Sequence, residues 1–162
     1  MMLKMHKTRR YRIALAMLFN VTVLLAGASG SADEIDPVIV VEGRQANLRD
    51  LGGAFKNITD ELKKSMPTLP VIKLYARQIR DLAEQQRFWF PVGSGPQPDV
   101  ETDAKPEIWA RPEEFAAAQA VFSREAAKFV EVIDTGEVSA IKAQHRTLAK
   151  TCSSCHKQFR EE

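Results

Sequence analysis

Cys152, Cys155 and His156 stand near the end of the chain in the run Cys-Ser-Ser-Cys-His. Two thiols separated by two residues and followed at once by an imidazole form the attachment pattern of a c-type haem. Each thiol can add across one vinyl group of the porphyrin, and the imidazole is then carried beneath the iron as an axial ligand. The pattern predicts one haem c, with thioethers from Cys152 and Cys155 and with His156 on the metal.

Three other chemistries use parts of the same pattern. A thioredoxin-like pair sits in a βαβ setting, whereas these cysteines lie inside a long helical pattern; a haem-free thiol redox protein is the remote alternative. Structural zinc normally takes four protein ligands, and the two thiols with His156 leave one position open. His145 is the one other histidine beyond the leader. A disulfide between residues so close would be strained and would close almost no loop.

Helical periodicity supplies the frame for the motif. Val138, Ile141, His145, Leu148, Cys152, Cys155 and Phe159 recur in steps of three and four, which predicts a last helix from about 137 with both cysteines on its inward seam. Asp36 and Pro37 read as N-cap and first turn of a first helix over 36–64, with Val41, Leu48, Leu51, Phe55, Ile58 and Leu62 inward. Val38–Val41 favour strand locally but fall in the first turns of that pattern. After Pro67 and Pro70 a second helix carries Ile72, Ala76, Ile79 and Ala83 on one face and fades near Phe88. The turn formers of 91–98 open a long connection over 90–111. Pro112 then starts a third helix, with Phe115, Phe122, Ala126, Phe129 and Ile133 inward, and Gly136 stops it. The fold class is all-α, an up-down-up-down four-helix bundle with haem bound covalently near the C-terminal helix.

The first residues belong to another process. Met1–Arg12 hold five Lys or Arg and no acid, Ile13–Leu25 are mostly apolar, and small residues follow. That order predicts a secretory signal peptide over 1–28, with cleavage as late as 32, ahead of a bundle over 33–162. The apolar run falls short of the roughly 20 residues a spanning helix needs. The whole chain has 23 basic and 21 acidic residues. Removing the leader's five bases leaves 18 against 21, about three units negative, so no basic surface suggests nucleic acid. Export to the periplasm also suits the thiols, because c-type haem is attached outside the cytoplasm. No membrane association is expected once the leader is gone.

Together these features resemble the class II cytochromes c, most closely cytochrome c′, in which the haem motif lies near the C-terminus of a four-helix bundle. Three further matches carry the resemblance. Gly43-Arg44-Gln45-Ala46-Asn47-Leu48 is similar to the family's first-helix pattern, which implies Arg44 and Gln45 at the haem edge, Arg44 on a propionate, and Leu48 over the iron. Thr102-Asp103-Ala104-Lys105-Pro106-Glu107-Ile108-Trp109 resembles the loop before the third helix, which implies a haem contact from Asp103. Arg160 matches a basic residue beside the proximal imidazole. Each has a plainer reading: Arg44 as a solvated helix residue, Leu48 as core, Asp103 as a brace for the loop, and Trp89 and Trp109 as core anchors. Gly52-Gly53 within the first helix would be explained by close approach of haem or of a partner helix.

The sixth iron position separates the functional readings. A methionine there favours low-spin electron transfer, and a vacancy admits gases. Leu48 has no donor atom, and Met66 is the single methionine beyond the leader. His145 lies eleven residues before His156, about 16 Å along a helix. The resemblance then implies a five-coordinate, high-spin haem protein, not an enzyme, that binds nitric oxide and carbon monoxide and can pass single electrons. A low-spin six-coordinate carrier ligated by Met66 is the alternative. Implied partners are diatomic gases, an unidentified redox protein, and a second copy of the chain packed through the first two helices.

Overall fold

The computed structural model describes residues 36–161; the leader assigned to 1–28, with cleavage as late as 32, lies outside the described residues. The first helix, α1 (Pro37–Leu62), begins as the sequence indicates, with Asp36 Oδ1 accepting from Val38 N at 2.9 Å and Pro37 in the first turn. Val38–Val41 are helical, since the cap and the following amphipathic turns outweigh their local strand preference. Buried Glu61 reaches from the end of α1 to accept from the Thr68 backbone N–H at 2.7 Å, where α2 (Leu69–Gln85) starts. Lys64 and that N–H hold its carboxyl down to about 2.

A short 3-10 turn, Gln86–Phe88, follows α2, and α4 (Pro112–Asp134) and α5 (Val138–Phe159) complete the long helices. Gly136 ends α4 at φ 75°, a left-handed position that favours glycine. The long connection is not wholly irregular. It contains the short helix α3 (Glu107–Ala110), entered through Pro106, and an isolated antiparallel bridge between Gln97 and Val100.

Helix α1 packs on α2, α2 on α4 and α4 on α5. Between α5 and α1 the bundle closes at one level through side chains, where Phe55 stacks on the His145 ring with centroids 4.3 Å apart. Thr59 Oγ1 donates to the Phe55 carbonyl at 2.9 Å and therefore accepts from His145 Nε2 at 3.1 Å. Around this closure lies a large apolar cluster in which Ile58, Ile72, Ile79, Phe129, Ile141 and Leu148 are fully buried. Each such side chain stabilises the fold by about 1.5–3 kcal/mol relative to exposure. A second, smaller cluster of Ile108, Phe115 and Phe159 gathers Phe90, Trp109 and Cys155 at the other end.

Candidate functional site

A cavity of about 580 Å³ is lined by both clusters, within the ~300–1,000 Å³ usual for ligand sites. Its position follows from an incompletely filled seam. Leu48, Leu51 and Phe55 occupy inward positions of α1, and Cys152 and Cys155 inward positions of α5, yet all five are only half-buried. The cavity wall includes every site residue expected from sequence: Cys152, Cys155, His156 and Arg160 near the end of α5, Arg44, Gln45 and Leu48 on α1, and Asp103 on the connection.

Cys152 packs on the larger cluster and Cys155 on the smaller. Burial raises both thiol pKa values, that of Cys155 to about 11, with the neighbouring Cys152 contributing. Redox cysteines need the opposite shift, so the environment disfavours thiolate exchange and suits apolar, covalent use of the sulfurs. Burial, then the Arg160 charge, lowers the His156 pKa. The ring is thus held neutral, the form that binds a metal.

Arg44 is not a solvated helix residue, for it is 3% exposed. Its Nη1 donates to Ser94 O at 3.2 Å and Ser94 Oγ at 3.3 Å, and Nη2 to Thr102 Oγ1 at 2.9 Å. The guanidinium also lies over the Phe90 ring, 4.6 Å from its centroid. Burial lowers its pKa, but a guanidinium keeps its charge in proteins. Among the described residues no carboxylate forms an ion pair with it. Gln45 Nε2 donates to Glu101 O at 3.0 Å, so both residues tie α1 to the connection.

The connection is tied in turn to the end of α5. Asp103 Oδ2 accepts from Arg160 Nη2 at 3.1 Å, Asp103 O accepts from Glu161 N at 2.8 Å, and Lys105 N donates to Phe159 O at 3.0 Å. Asp103 therefore braces the loop while also lining the cavity. The ion pair itself is exposed, a kind contributing about 0–1 kcal/mol. Met66 is 85% exposed between α1 and α2 and does not line the cavity. Trp89 is buried, and Trp109 Nε1 donates to Pro91 O at 3.0 Å, both consistent with anchoring.

Sequence reasoning missed the aromatic wall formed by Phe90, Phe115 and Phe159 together, and the half-buried Gln86, whose Oε1 is shut off from solvent with no hydrogen-bond partner among the described residues. Phe115 and Phe159 carry helical spacing, but nothing in the pattern of Phe90 signals its place. A Cβ at Gly52 or Gly53 would meet no protein atom within 4 Å. No other described helix of this chain therefore approaches the pair, while Gly52 borders the cavity.

The donor set fits a covalent porphyrin: two neutral thiols and one neutral imidazole share an apolar, aromatic cavity with an unmatched buried cation. A family profile described as "Cytochrome C'" matches residues 39–160. The cytochrome c′ of Rhodospirillum rubrum is 30% identical over 91% of this chain and 93% of its own. That of Pararhodospirillum photometricum is 29% identical over 77% of this chain and 98% of its own. Among solved structures, a cytochrome c′ with ligand-controlled dimer dissociation superposes with a TM-score of 0.74 at 25% identity, over 79% of this chain and 98% of that one. The cytochrome c′ of Thermochromatium tepidum gives 0.73 at 21% identity, covering 79% and 98%.

Proposed function

The chain belongs to the cytochrome c′ family and carries covalent haem c, and on that premise we propose that it is a periplasmic, five-coordinate haem protein that binds nitric oxide or carbon monoxide. One observation carries the reading. Among the residues lining the cavity His156 is the single imidazole and no methionine is present, so one strong axial ligand is available. The bound haem supplies the redox-active, gas-binding iron.

The chain's own residues do the rest. Cys152 and Cys155 hold the cofactor by thioethers, and His156 presents a neutral ring to the metal. Leu48 lines the cavity and, having no donor atom, would crowd a ligand bound to the iron and offer it no hydrogen bond. Uncharged diatomics that need no donor are favoured there over dioxygen. Arg44, buried without a carboxylate, provides the charge a haem propionate would match. Gln45 and Asp103 hold the loop that would border the haem, and Arg160, whose charge reaches His156, would stand on the same side as that ring.

Variants of the cytochrome c′ from Alcaligenes xylosoxidans form nitric oxide complexes, which accords with this ligand class. Low-spin ligation by Met66 is disfavoured by that side chain's exposure away from the cavity. Export rests on the leader pattern, and no described helix is long and apolar enough to cross a membrane. Exposed Ile39 on α1 and Leu74 on α2 support pairing of two copies through these helices. The chain acts as a carrier of gas or electrons. An absorption spectrum of the ferrous protein tests the reading: a high-spin spectrum that shifts on adding carbon monoxide is expected. A low-spin spectrum indifferent to carbon monoxide would overturn it.

A further inference from the structure

Helix α5 carries Lys142, Arg146, Lys150 and Lys157 and not one Asp or Glu, within a chain that is otherwise acidic. Outside α5, residues 33–162 hold 14 basic against 21 acidic residues, since four of the 18 bases lie on this helix. At 3.6 residues per turn the four cations fall within an arc of about 80° and run for about 22 Å. The arc lies on the far side of the helix from the buried Ile141, Leu148 and Phe159. Arg146, Lys150 and Lys157 are exposed and Lys142 is half-buried. Among the described residues none of the four forms an ion pair. An ordinary solvated helix face mixes both signs, and four like charges in one stripe repel one another unless something else uses them.

We propose that this stripe is the docking surface for an acidic one-electron carrier protein, which meets this chain over the helix that bears the haem. The proposal rests on the electron-transfer side of the function proposed above. Lys157 is adjacent to His156, so a partner seated on the stripe is brought to the haem-bearing end of α5. The docked carrier loses one electron to the haem; no bond is made or broken and no proton moves. Complementary charge raises the encounter rate and orients the pair without requiring a tight complex, as turnover between carriers demands. An anionic membrane fits less well. The rest of the chain is negative, and none of the large exposed apolar side chains lies on α5, whereas helices that lie in a lipid interface insert such groups.

The test uses the haem-loaded protein and the variant Lys142→Glu/Arg146→Glu/Lys150→Glu, which leaves the residues next to His156 unchanged. Reduction of the ferric protein is followed by stopped flow with two probes, a reduced acidic [2Fe–2S] ferredoxin and cationic hexaammineruthenium(II), from about 10 to 300 mM salt, across which the Debye length shrinks severalfold. Wild type is expected to react with ferredoxin more slowly as salt rises. The variant loses at least tenfold of the low-salt rate and that salt dependence, while its rate with the ruthenium complex holds or rises. Backbone amide shifts on adding oxidised ferredoxin to the wild type should cluster on 142–157. Unchanged ferredoxin rates and shifts in the variant, with both probes reducing it, overturn the docking surface and leave electron transfer intact. Reduction by neither probe overturns both. Co-sedimentation with phosphatidylglycerol vesicles that the variant abolishes, alongside unchanged ferredoxin kinetics, assigns the stripe to a membrane and overturns the proposal.

Discussion

The two apolar clusters of this bundle are built from different materials. The larger joins mostly aliphatic side chains from α1, α2, α4 and α5 around Phe122 and Phe129, all at positions of helical periodicity. The smaller is mainly aromatic: Phe115 meets Phe90 and Phe159 edge-on, at 4.9 and 5.1 Å between centroids. Its members come from the long connection, α3, the first two turns of α4 and the last two turns of α5. One cysteine of the haem motif packs on each cluster, and the cavity is lined by both. The larger cluster therefore rests on helical periodicity, whereas the smaller draws on the connection and α3 and would lean more on a bound haem for its packing.

Removing the covalent attachment tests that division most severely. Cys152→Ser/Cys155→Ser should abolish covalent haem altogether, read as loss of haem staining on a denaturing gel. Amide exchange in the resulting protein should accelerate strongly at Ile108, Trp109 and Phe159, while Ile72–Ile79 stay protected. Equal loss of protection in both regions would break the comparison. Phe129→Ala comes next. Truncating a fully buried Phe costs about 3–5 kcal/mol, and here the cost should appear in urea midpoints with or without haem. Phe115→Ala, against a partly open cavity, should lower the midpoint less and the haem-loaded spectrum more.

The same division decides what could be read from the sequence. The four long helices were legible because each carries an apolar stripe longer than chance allows, with Asp36, Pro37, Pro112 and Gly136 marking ends. The candidate haem-binding residues were legible because their spacing is chemical. α3 was not, since one turn has no periodicity to detect, and Pro106 at its entry reads equally well as a turn former. The partners of Arg44 were also hidden: Ser94 and Thr102 lie 50 and 58 residues away in sequence, and only the folded path of the connection brings them to α1. Asp103 and Arg160 were each singled out for the haem, but their pairing with one another needs the strap between 103–105 and 159–161.

Arg44 sits at the junction of the two regions, so its replacement should uncouple them at moderate cost. Arg44→Leu leaves Ser94 Oγ and Thr102 Oγ1 without their charged donor, a loss of about 1–3 kcal/mol. It should loosen 94–102 in amide exchange and leave the centre of α2 unaffected. If α2 exchanges faster to the same degree, the connection is part of the main core and the division is wrong.

The smallest expected effect lies on the larger cluster's side, at the Phe55–His145–Thr59 contact that closes α1 against α5. Burial, reinforced by Arg146, lowers the His145 pKa below its ordinary value near 6.5. Between the two values the unfolded chain binds a proton that the folded protein refuses, so stability falls as pH falls. The contribution is complete above about pH 6.5 and disappears as pH drops through the folded value. Phe55 and Thr59 from α1 and Phe129 from α4 face the ring and bring no charge of their own, which leaves burial to set the direction. His145→Gln retains a donor for Thr59 but cannot titrate. Urea midpoints of the haem-loaded proteins from pH 8 to 5 should therefore decline less steeply for the variant than for wild type. Parallel declines would show that the contact closing α1 against α5 is not the group sensing the proton.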